Sequence, residues 1–299
     1  MRPSPVTAFR AIQDDLARRR FLKFLAASPL LLTPGLPASL FAQNDELIAS
    51  PDLALNVFDF EAVARRRLPP AHFGYMATGV DDDATVRANR EGFERYQLRV
   101  RRLIDVSAID MSVALFGTTW DSPIVLAPVG SQRAFHPEGE IATARAARSR
   151  KHLQILSTMA STGVEDVIAA RGEPVWYQLY PTDQWPVTRA LVQRAEAAGC
   201  AVLVLTVDLQ GGSNRETQTR EQRRDSRQCS TCHIFKALAL GARAVCIGRP
   251  YLWGLAAFGQ PGVEAVLAIL RRELTTIMRQ AGTVKIGDIT RQVVVDRGR

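Results

Sequence analysis

Beyond position 123 the chain alternates short apolar runs with longer amphipathic stretches. The runs fall at 124–127, 153–157, 175–178, 202–206 and 244–247. Each has the length of a strand, and the stretches 138–151 and 187–199 are long enough for crossover helices, so the pattern predicts βα units around a parallel sheet. The last run follows a short helical stretch, 236–241, and leads into a long one, 263–281. A closed barrel of eight such units takes about 250 residues, at about 30 per unit. The 177 residues from Pro123 to the C-terminus carry five runs. The expected fold is therefore α/β and (β/α)8 TIM-barrel-like but incomplete, with about five of eight units in 123–299.

Upstream, 58–67 has helical spacing, and Pro69-Pro70 interrupts it before another short helix that ends at Gly79. The region 43–122 reads as a helical cap on the barrel. The first 42 residues differ again. Arg18, Arg19, Phe21, Leu22 and Lys23 match the twin-arginine export pattern, with Ala17 where Ser or Thr is usual. The apolar run that follows, 24–32, is short of the roughly 18 residues a spanning helix needs. Leu40-Phe41-Ala42 offers a small-residue cleavage site. A removable signal over 1–42 and a periplasmic or exported mature protein are expected; an amphipathic N-terminal helix of the folded domain is the alternative.

Composition narrows the function classes. With 46% hydrophobic and 23% charged residues the chain is an ordinary globular protein rather than a disordered one. The formal charge of +8 is half explained by the leader, where six Lys and Arg face two acids. No basic face interleaved with aromatics remains, which argues against a nucleic-acid partner. Four cysteines are too few for a disulfide scaffold in 299 residues. Cys200 and Cys246 sit in apolar runs and read as buried core thiols.

Several segments carry chemistry, and they come in a fixed order. Tyr75-Met76-Ala77-Thr78-Gly79 precedes Asp81-Asp82-Asp83 and Asn89. Leu126-Ala127-Pro128-Val129-Gly130-Ser131-Gln132 is followed by His136-Pro137-Glu138-Gly139-Glu140. Then come Gln178-Leu179-Tyr180, Leu205-Thr206-Val207-Asp208 with Arg215-Glu216, and 235–242 with Ile247-Gly248-Arg249-Pro250. Together they resemble the FMN-dependent 2-hydroxy-acid dehydrogenases and oxidases, a family that includes glycolate oxidase, mandelate dehydrogenase and flavin lactate dehydrogenases. The likeness runs from about Phe58 to Arg291 with one break.

The resemblance implies an FMN-binding barrel that oxidises a small (S)-2-hydroxy acid, lactate-like, to the 2-oxo acid. It puts the backbone at Val129 and Gly130 against the flavin, with Ser157, Gln178 and Thr206 hydrogen-bonded to its ring. Gly248 and Arg249 would hold the phosphate, where N–H groups and a guanidinium suit a dianion. Arg215 would pair with the substrate carboxylate, and Tyr75 and Tyr180 would donate hydrogen bonds to it. Barrel enzymes do carry their active groups at the C-terminal ends of strands. Taken singly each residue has a plainer reading: a strand-end hydroxyl bonding its neighbour, a rim aromatic, or the first charge of a solvated run at 215–227. Their order is what favours the functional reading.

The departures matter as much. Met159 stands where many oxidases of the family have an aromatic residue, so side-chain preference does not transfer. After Arg215 the family continues with fifth, sixth and seventh units, which bring a flavin-facing lysine, a Ser-Asn-His-Gly-type motif with a substrate arginine, and an Asp-Gly-Gly phosphate loop. None occurs here, so no catalytic residue is assigned. The histidines are His72, His136, His152 and His233, and none lies in the matching motif; His136 reads as a capping or packing residue. Oxidation needs a base within hydrogen-bond reach of the substrate, so weak FMN binding and impaired turnover are expected. Electrons would pass to a quinone or a cytochrome. Cys229-x-x-Cys232-His233 matches covalent haem c attachment; a redox or metal-binding cysteine pair and an inert loop are the other readings of this segment. An exported haem electron-transfer protein is thus one alternative for the chain and a non-catalytic flavin-binding remnant another, and no other metal site is expected. Five parallel strands cannot close ordinarily, so the fourth and last strands must pair across the gap or leave exposed edges, which favours a homo-oligomer.

Overall fold

The computed structural model describes residues 47–207, 214–223 and 242–296. They belong to a compact unit spanning Leu47–Arg299. The leader expected over 1–42 and the residues Cys229, Cys232 and His233 lie outside the described residues, as does the helical stretch expected at 236–241.

The cap begins with helices α1 (Asp59–Arg67), α2 (Pro70–Ala77) and α3 (Ala84–Glu94). Pro69 and Pro70 divide the first two, since proline cannot donate inside a helix but fits its first turn. The cap is not purely helical as expected. Strand β1 (Tyr96–Leu98) pairs antiparallel with a C-terminal strand, and β2 (Val113–Leu115) forms a hairpin with β3 (Thr118–Trp120). The two turn residues, Phe116 and Gly117, both have positive φ, the geometry a two-residue hairpin requires. The sequence signal is weak because Phe116 is an unusual occupant of that turn.

The barrel strands are β4 (Ile124–Leu126), β5 (Leu153–Ser157), β6 (Trp176–Leu179), β7 (Leu203–Leu205) and β8 (Val245–Ile247). They lie within a residue or two of the five apolar runs. Their spatial order is β7-β6-β5-β4-β8, all parallel. Among the described residues β7 and β8 are therefore the two edges, the sheet does not close, and of the two outcomes expected for a short barrel it is the open one that holds.

Crossover helices α4 (Gly139–Ser149), α5 (Val164–Arg171) and α6 (Trp185–Ala197) cover the outer face of β4 to β6. There Leu156, Tyr177 and Leu179 are buried with Val164, Val167 and Ala195. The alternate residues point inward: Val125, Leu153 and Ile155 form a second cluster with Val113 and Trp120, so the β2–β3 hairpin plugs the N-terminal mouth. A short helix, α7 (Glu216–Gln222), follows β7; α8 (Arg249–Phe258) and α9 (Gln260–Ala281) follow β8, and β9 (Val294–Asp296) returns to β1. Helix α9 has Pro261 in its first turn, apolar residues at 263, 266, 267, 274, 278 and 281, and Gly282 at φ 64° beyond its end. It crosses α8 where Gly254 meets Gly262, a contact with no room for a Cβ on either residue.

The two cysteines correct the expectation of core thiols: Cys200 is half-buried and Cys246 is exposed. Cys246 alternates with Val245 and Ile247, which bury themselves under α9 and α8, so its own side chain faces the inner side, which no further strand among the described residues encloses.

Candidate active site

The C-terminal ends of β5, β6 and β7 bring three predicted residues into one hydrogen-bonded row. Ser157 Oγ donates to Gln178 Oε1 at 3.0 Å, and Gln178 Nε2 donates to Thr206 Oγ1 at 2.8 Å. Register explains this. Ser157 is level with Gln178 and Gln178 with Val204, so alternation turns Ser157, Gln178 and Thr206 inward, Thr206 two residues beyond Val204 and within reach of the Gln178 amide. The row offers hydroxyl and amide groups to the inner side, a donor and acceptor set suited to the polar edge of a flavin ring.

The loop after β4 packs against this row. The Ser131 N–H donates to the Met159 carbonyl at 2.9 Å, and a Cβ on Gly130 would lie 2.8 Å from that of Met159. Gly130 is thus required by its neighbour loop. Val129 is half-buried beside it and accepts from Gln132 Nε2 at 3.2 Å. Met159, in place of an aromatic, is 61% exposed.

Glu140 ties the two loops together, a role that sequence reasoning did not assign. Fully buried at the start of α4, its carboxylate accepts from the Gln132 N–H, the Ser161 N–H, Ser161 Oγ and Thr162 Oγ1 at 2.7–3.2 Å. A buried carboxylate with four donors is satisfied rather than reactive. Gln132 extends the network to Thr143 and Tyr251, and the Tyr251 hydroxyl reaches the Ala127 carbonyl. The only hint in the sequence was that Gln132 and Glu140 lie within the matched loop.

On the cap side, Arg215 stacks over the Tyr75 ring with its guanidinium carbon 4.3 Å from the centroid. The segment before α7 is latched to the cap: the Asp81 N–H donates to the Asn214 carbonyl at 2.7 Å, Asn214 Nδ2 to Asp81 Oδ1 at 2.9 Å, and Thr217 Oγ1 to Asp83 Oδ2 at 3.1 Å. Asp81 and Asp83 adopt positive φ to do this, a conformation that Asp tolerates better than most. These four residues were missed as a set because they meet across more than 130 positions. Tyr180 is half-buried at the end of β6, its N–H donating to Thr158 Oγ1 at 3.0 Å.

Gly248 and Arg249, both buried, open α8 at the C-terminal end of β8. Helix N–H groups and a guanidinium at one helix start make a fitting place for a phosphate. Arg249 also acts on Glu61 of α1, whose carboxyl is raised by burial and pulled back by Arg65, Arg249 and Arg90. The residues present therefore suit FMN at both its ring and its phosphate end.

Among the described residues the histidines take structural places. His136 Nδ1 accepts from the Glu138 N–H at 3.2 Å and its ring lies against Gly259, as a capping and packing residue should; burial lowers its pKa. His72 is buried with its ring edge-on to Phe135, 6.2 Å away. His152 sits just before β5 at the opposite end of the sheet from the row, bonded to Ser122 at 3.1 Å, with its pKa lowered to about 4 chiefly by burial. No group of three or more His, Cys, Asp or Glu able to hold a metal occurs among the described residues.

The FMN-dependent dehydrogenase family model matches the chain in two stretches, residues 64–232 and 223–296. A peroxisomal (S)-2-hydroxy-acid oxidase of Oryza sativa subsp. japonica is 29% identical over 356 residues, with 83% of this chain and 97% of that protein covered. A 2-hydroxyacid oxidase of Dictyostelium discoideum is 27% identical, covering 83% and 92%. A crystal structure of mandelate oxidase superposes with a TM-score of 0.73 at 28% identity, covering 79% and 97%. A lactate oxidase of Pediococcus acidilactici, at 23% identity and a TM-score of 0.77, shares the fold, covering 82% and 96%. In the rice alignment 83% of 299 residues fills only about 250 of the 356 positions, so roughly a hundred face no residue of this chain. That is the size of three βα units of about 30 residues, and the two family matches meet at 223–232, between β7 and β8. The chain belongs to the FMN-dependent dehydrogenase family, with an internal deletion of the fifth to seventh barrel units.

Proposed function

We propose that this chain binds FMN and oxidises a small (S)-2-hydroxy acid, lactate-like, to the 2-oxo acid at a rate far below that of full-length relatives, passing the electrons to a quinone or cytochrome after export by the twin-arginine route. The observation that carries the reading is the Ser157–Gln178–Thr206 row at the strand ends, with Arg215 over Tyr75 on the cap side. The names of the relatives, oxidases of 2-hydroxy acids and of mandelate, supply the substrate class.

FMN would supply the two-electron acceptor. Ser157, Gln178 and Thr206 would hold the polar edge of its ring, the backbone at Val129 and Gly130 would line it, and Gly248 with Arg249 would take the phosphate. Arg215 pairs with the substrate carboxylate by its planar fork. Stacking on Tyr75 fixes the plane of that fork, and the Tyr75 and Tyr180 hydroxyls donate to the substrate oxygens. What the described residues do not supply is a base: His136 and His72 are committed to packing, and His152 lies at the far end. Losing a positioned base costs about 10²- to 10⁴-fold in rate.

The test is to purify the processed chain, titrate it with FMN, and assay glycolate, lactate and mandelate with an artificial acceptor. Flavin absorbance that titrates to saturation, with turnover at least about 10²-fold below that of a full-length relative, is expected. Stoichiometric FMN with ordinary turnover overturns the impairment. A chain that takes up no flavin overturns the enzyme reading in favour of a non-catalytic remnant.

A further inference from the structure

Two neighbouring strands part company where the site begins. The pairing of β4 with β8 ends at Leu126 and Ile247, with the Ala127 N–H donating to the Ile247 carbonyl at 2.9 Å. Beyond that point Val129 and Gly130 run to the Met159 loop, while Gly248 and Arg249 open α8. The first branch would line the flavin ring and the second would take the phosphate. Side chains replace the strand ladder as the tie between them.

The amide of Gln132 is that tie. Its Nε2 donates to the Val129 carbonyl and to the Tyr251 hydroxyl, each at 3.2 Å, and the hydroxyl donates to the Ala127 carbonyl at 3.1 Å. Thr143 Oγ1 donates to Gln132 Oε1 at 2.7 Å and so anchors the amide on α4. The direction of each bond is fixed. A carbonyl only accepts, so Nε2 must face Val129, and a hydroxyl that gives its one proton to Ala127 must accept from Gln132. Gln132 is 2% exposed and Tyr251 fully buried, so bulk water does not compete for these bonds. Tyr251 lies in the first turn of α8, two positions after Arg249. Its hydroxyl therefore links the start of that helix to the backbone between β4 and Gly130.

We infer that Gln132 and Tyr251 are positioning residues that set the spacing between the ring end and the phosphate end of the flavin site. The role presupposes that the chain binds FMN, as proposed above. FMN joins its ring and its phosphate through one short chain, so both ends engage together only where the two halves of the site stand at the matching distance. Neither residue has to touch the flavin to do this. A brace that served the fold alone would act on every flavin alike. A spacer acts on FMN and spares riboflavin, which has the ring and no phosphate.

Titration of the purified chain with FMN and with riboflavin, read by flavin fluorescence, tests it. The wild type binds FMN more tightly than riboflavin. Tyr251→Phe deletes one oxygen atom and lowers the ratio of the two affinities about tenfold, leaving riboflavin affinity as it was. Gln132→Met, close in volume, does the same, so if one variant loses its far-ultraviolet circular dichroism the other decides. Leu274→Ala, in the separate cluster that α9 forms with β9, lowers the urea midpoint and leaves the ratio unchanged. Equal losses for both flavins overturn the inference, as does an unchanged ratio in a folded variant, a lowered ratio in Leu274→Ala, or a wild type that does not distinguish the two flavins. Loss of fold in both site variants marks the pair as a structural brace and also overturns it. A wild type that takes up neither flavin overturns the proposed function itself, and the spacer with it.

Discussion

The sector from β4 to β6 and the strand β7 are built from the same kind of sequence and end in opposite states. Leu156, Leu179 and Leu205 are all leucines on the outward face of one parallel sheet, and only the last is bare. A strand in such a sheet does not bury itself; the helix of the next unit covers it. Units two and three have that helix, and among the described residues none lies on the outward face of β7. The inward face tells the other half. It stays intact as far as Thr206, because the row that lines it is held by bonds between adjacent strands and needs no outer layer.

The largest expected effect tests that contrast directly. Leu156→Ala, in the covered sector, should destabilise the subunit by about 2–5 kcal/mol. Leu205→Ala, at a residue 55% exposed, should cost no more than about 0.5 kcal/mol. Urea midpoints at constant slope report both. Comparable losses at the two positions would mean that β7 is covered within the subunit, and the contrast would collapse.

A second measurement sharpens the account of the covered sector. His152 is buried beneath it, bonded to Ser122, and titrates at about 4 when folded, against about 6.5 unfolded. Between those values the unfolded chain takes up the proton and the folded chain does not. Stability should therefore fall as pH drops from about 6.5 to 4 and level off below, a total loss of about 3 kcal/mol. His152→Gln should flatten that limb. An unchanged pH profile in the variant would show that the loss originates elsewhere.

How far the sequence revealed this molecule depends on the range of the forces involved. The five barrel strands were legible to within a residue or two, because each is a continuous apolar run, the pattern of a strand in a parallel sheet covered on both faces, as β4, β5 and β6 are. Helices α1, α2, α4, α6 and α9 followed from amphipathic spacing. Helix α8 did not, since nearly all its residues are buried and it has no polar face to set a period. Ser157, Gln178 and Thr206 were identified through family order, and the structure brings them together. The Glu140 bracket and the Asp81–Asn214 latch could not be read, because each depends on pairs joined only by the folded path of the chain. Cys246 was misjudged for a related reason: a cysteine between two apolar residues is buried only if something encloses its side of the strand, and among the described residues nothing does.

The smallest effect lies on the boundary between the two regions. Gln178 belongs to the covered β6, and its amide reaches across to Thr206 on the bare β7, so this side chain carries the inner row over the gap. Gln178→Leu keeps the volume and removes both bonds. The Thr206 hydroxyl, half-exposed, can turn to water, whereas that of Ser157, 3% exposed, keeps accepting from the Met159 N–H but loses the acceptor for its own proton. The stability cost should therefore be about 1–3 kcal/mol. FMN should suffer too, because a leucine offers the flavin edge neither donor nor acceptor: a fall in affinity of about tenfold corresponds to roughly 1.4 kcal/mol. Quenching of FMN fluorescence on titration reads it. An affinity equal to that of the wild type would show that the row is a brace between strands and that the flavin ring lies elsewhere.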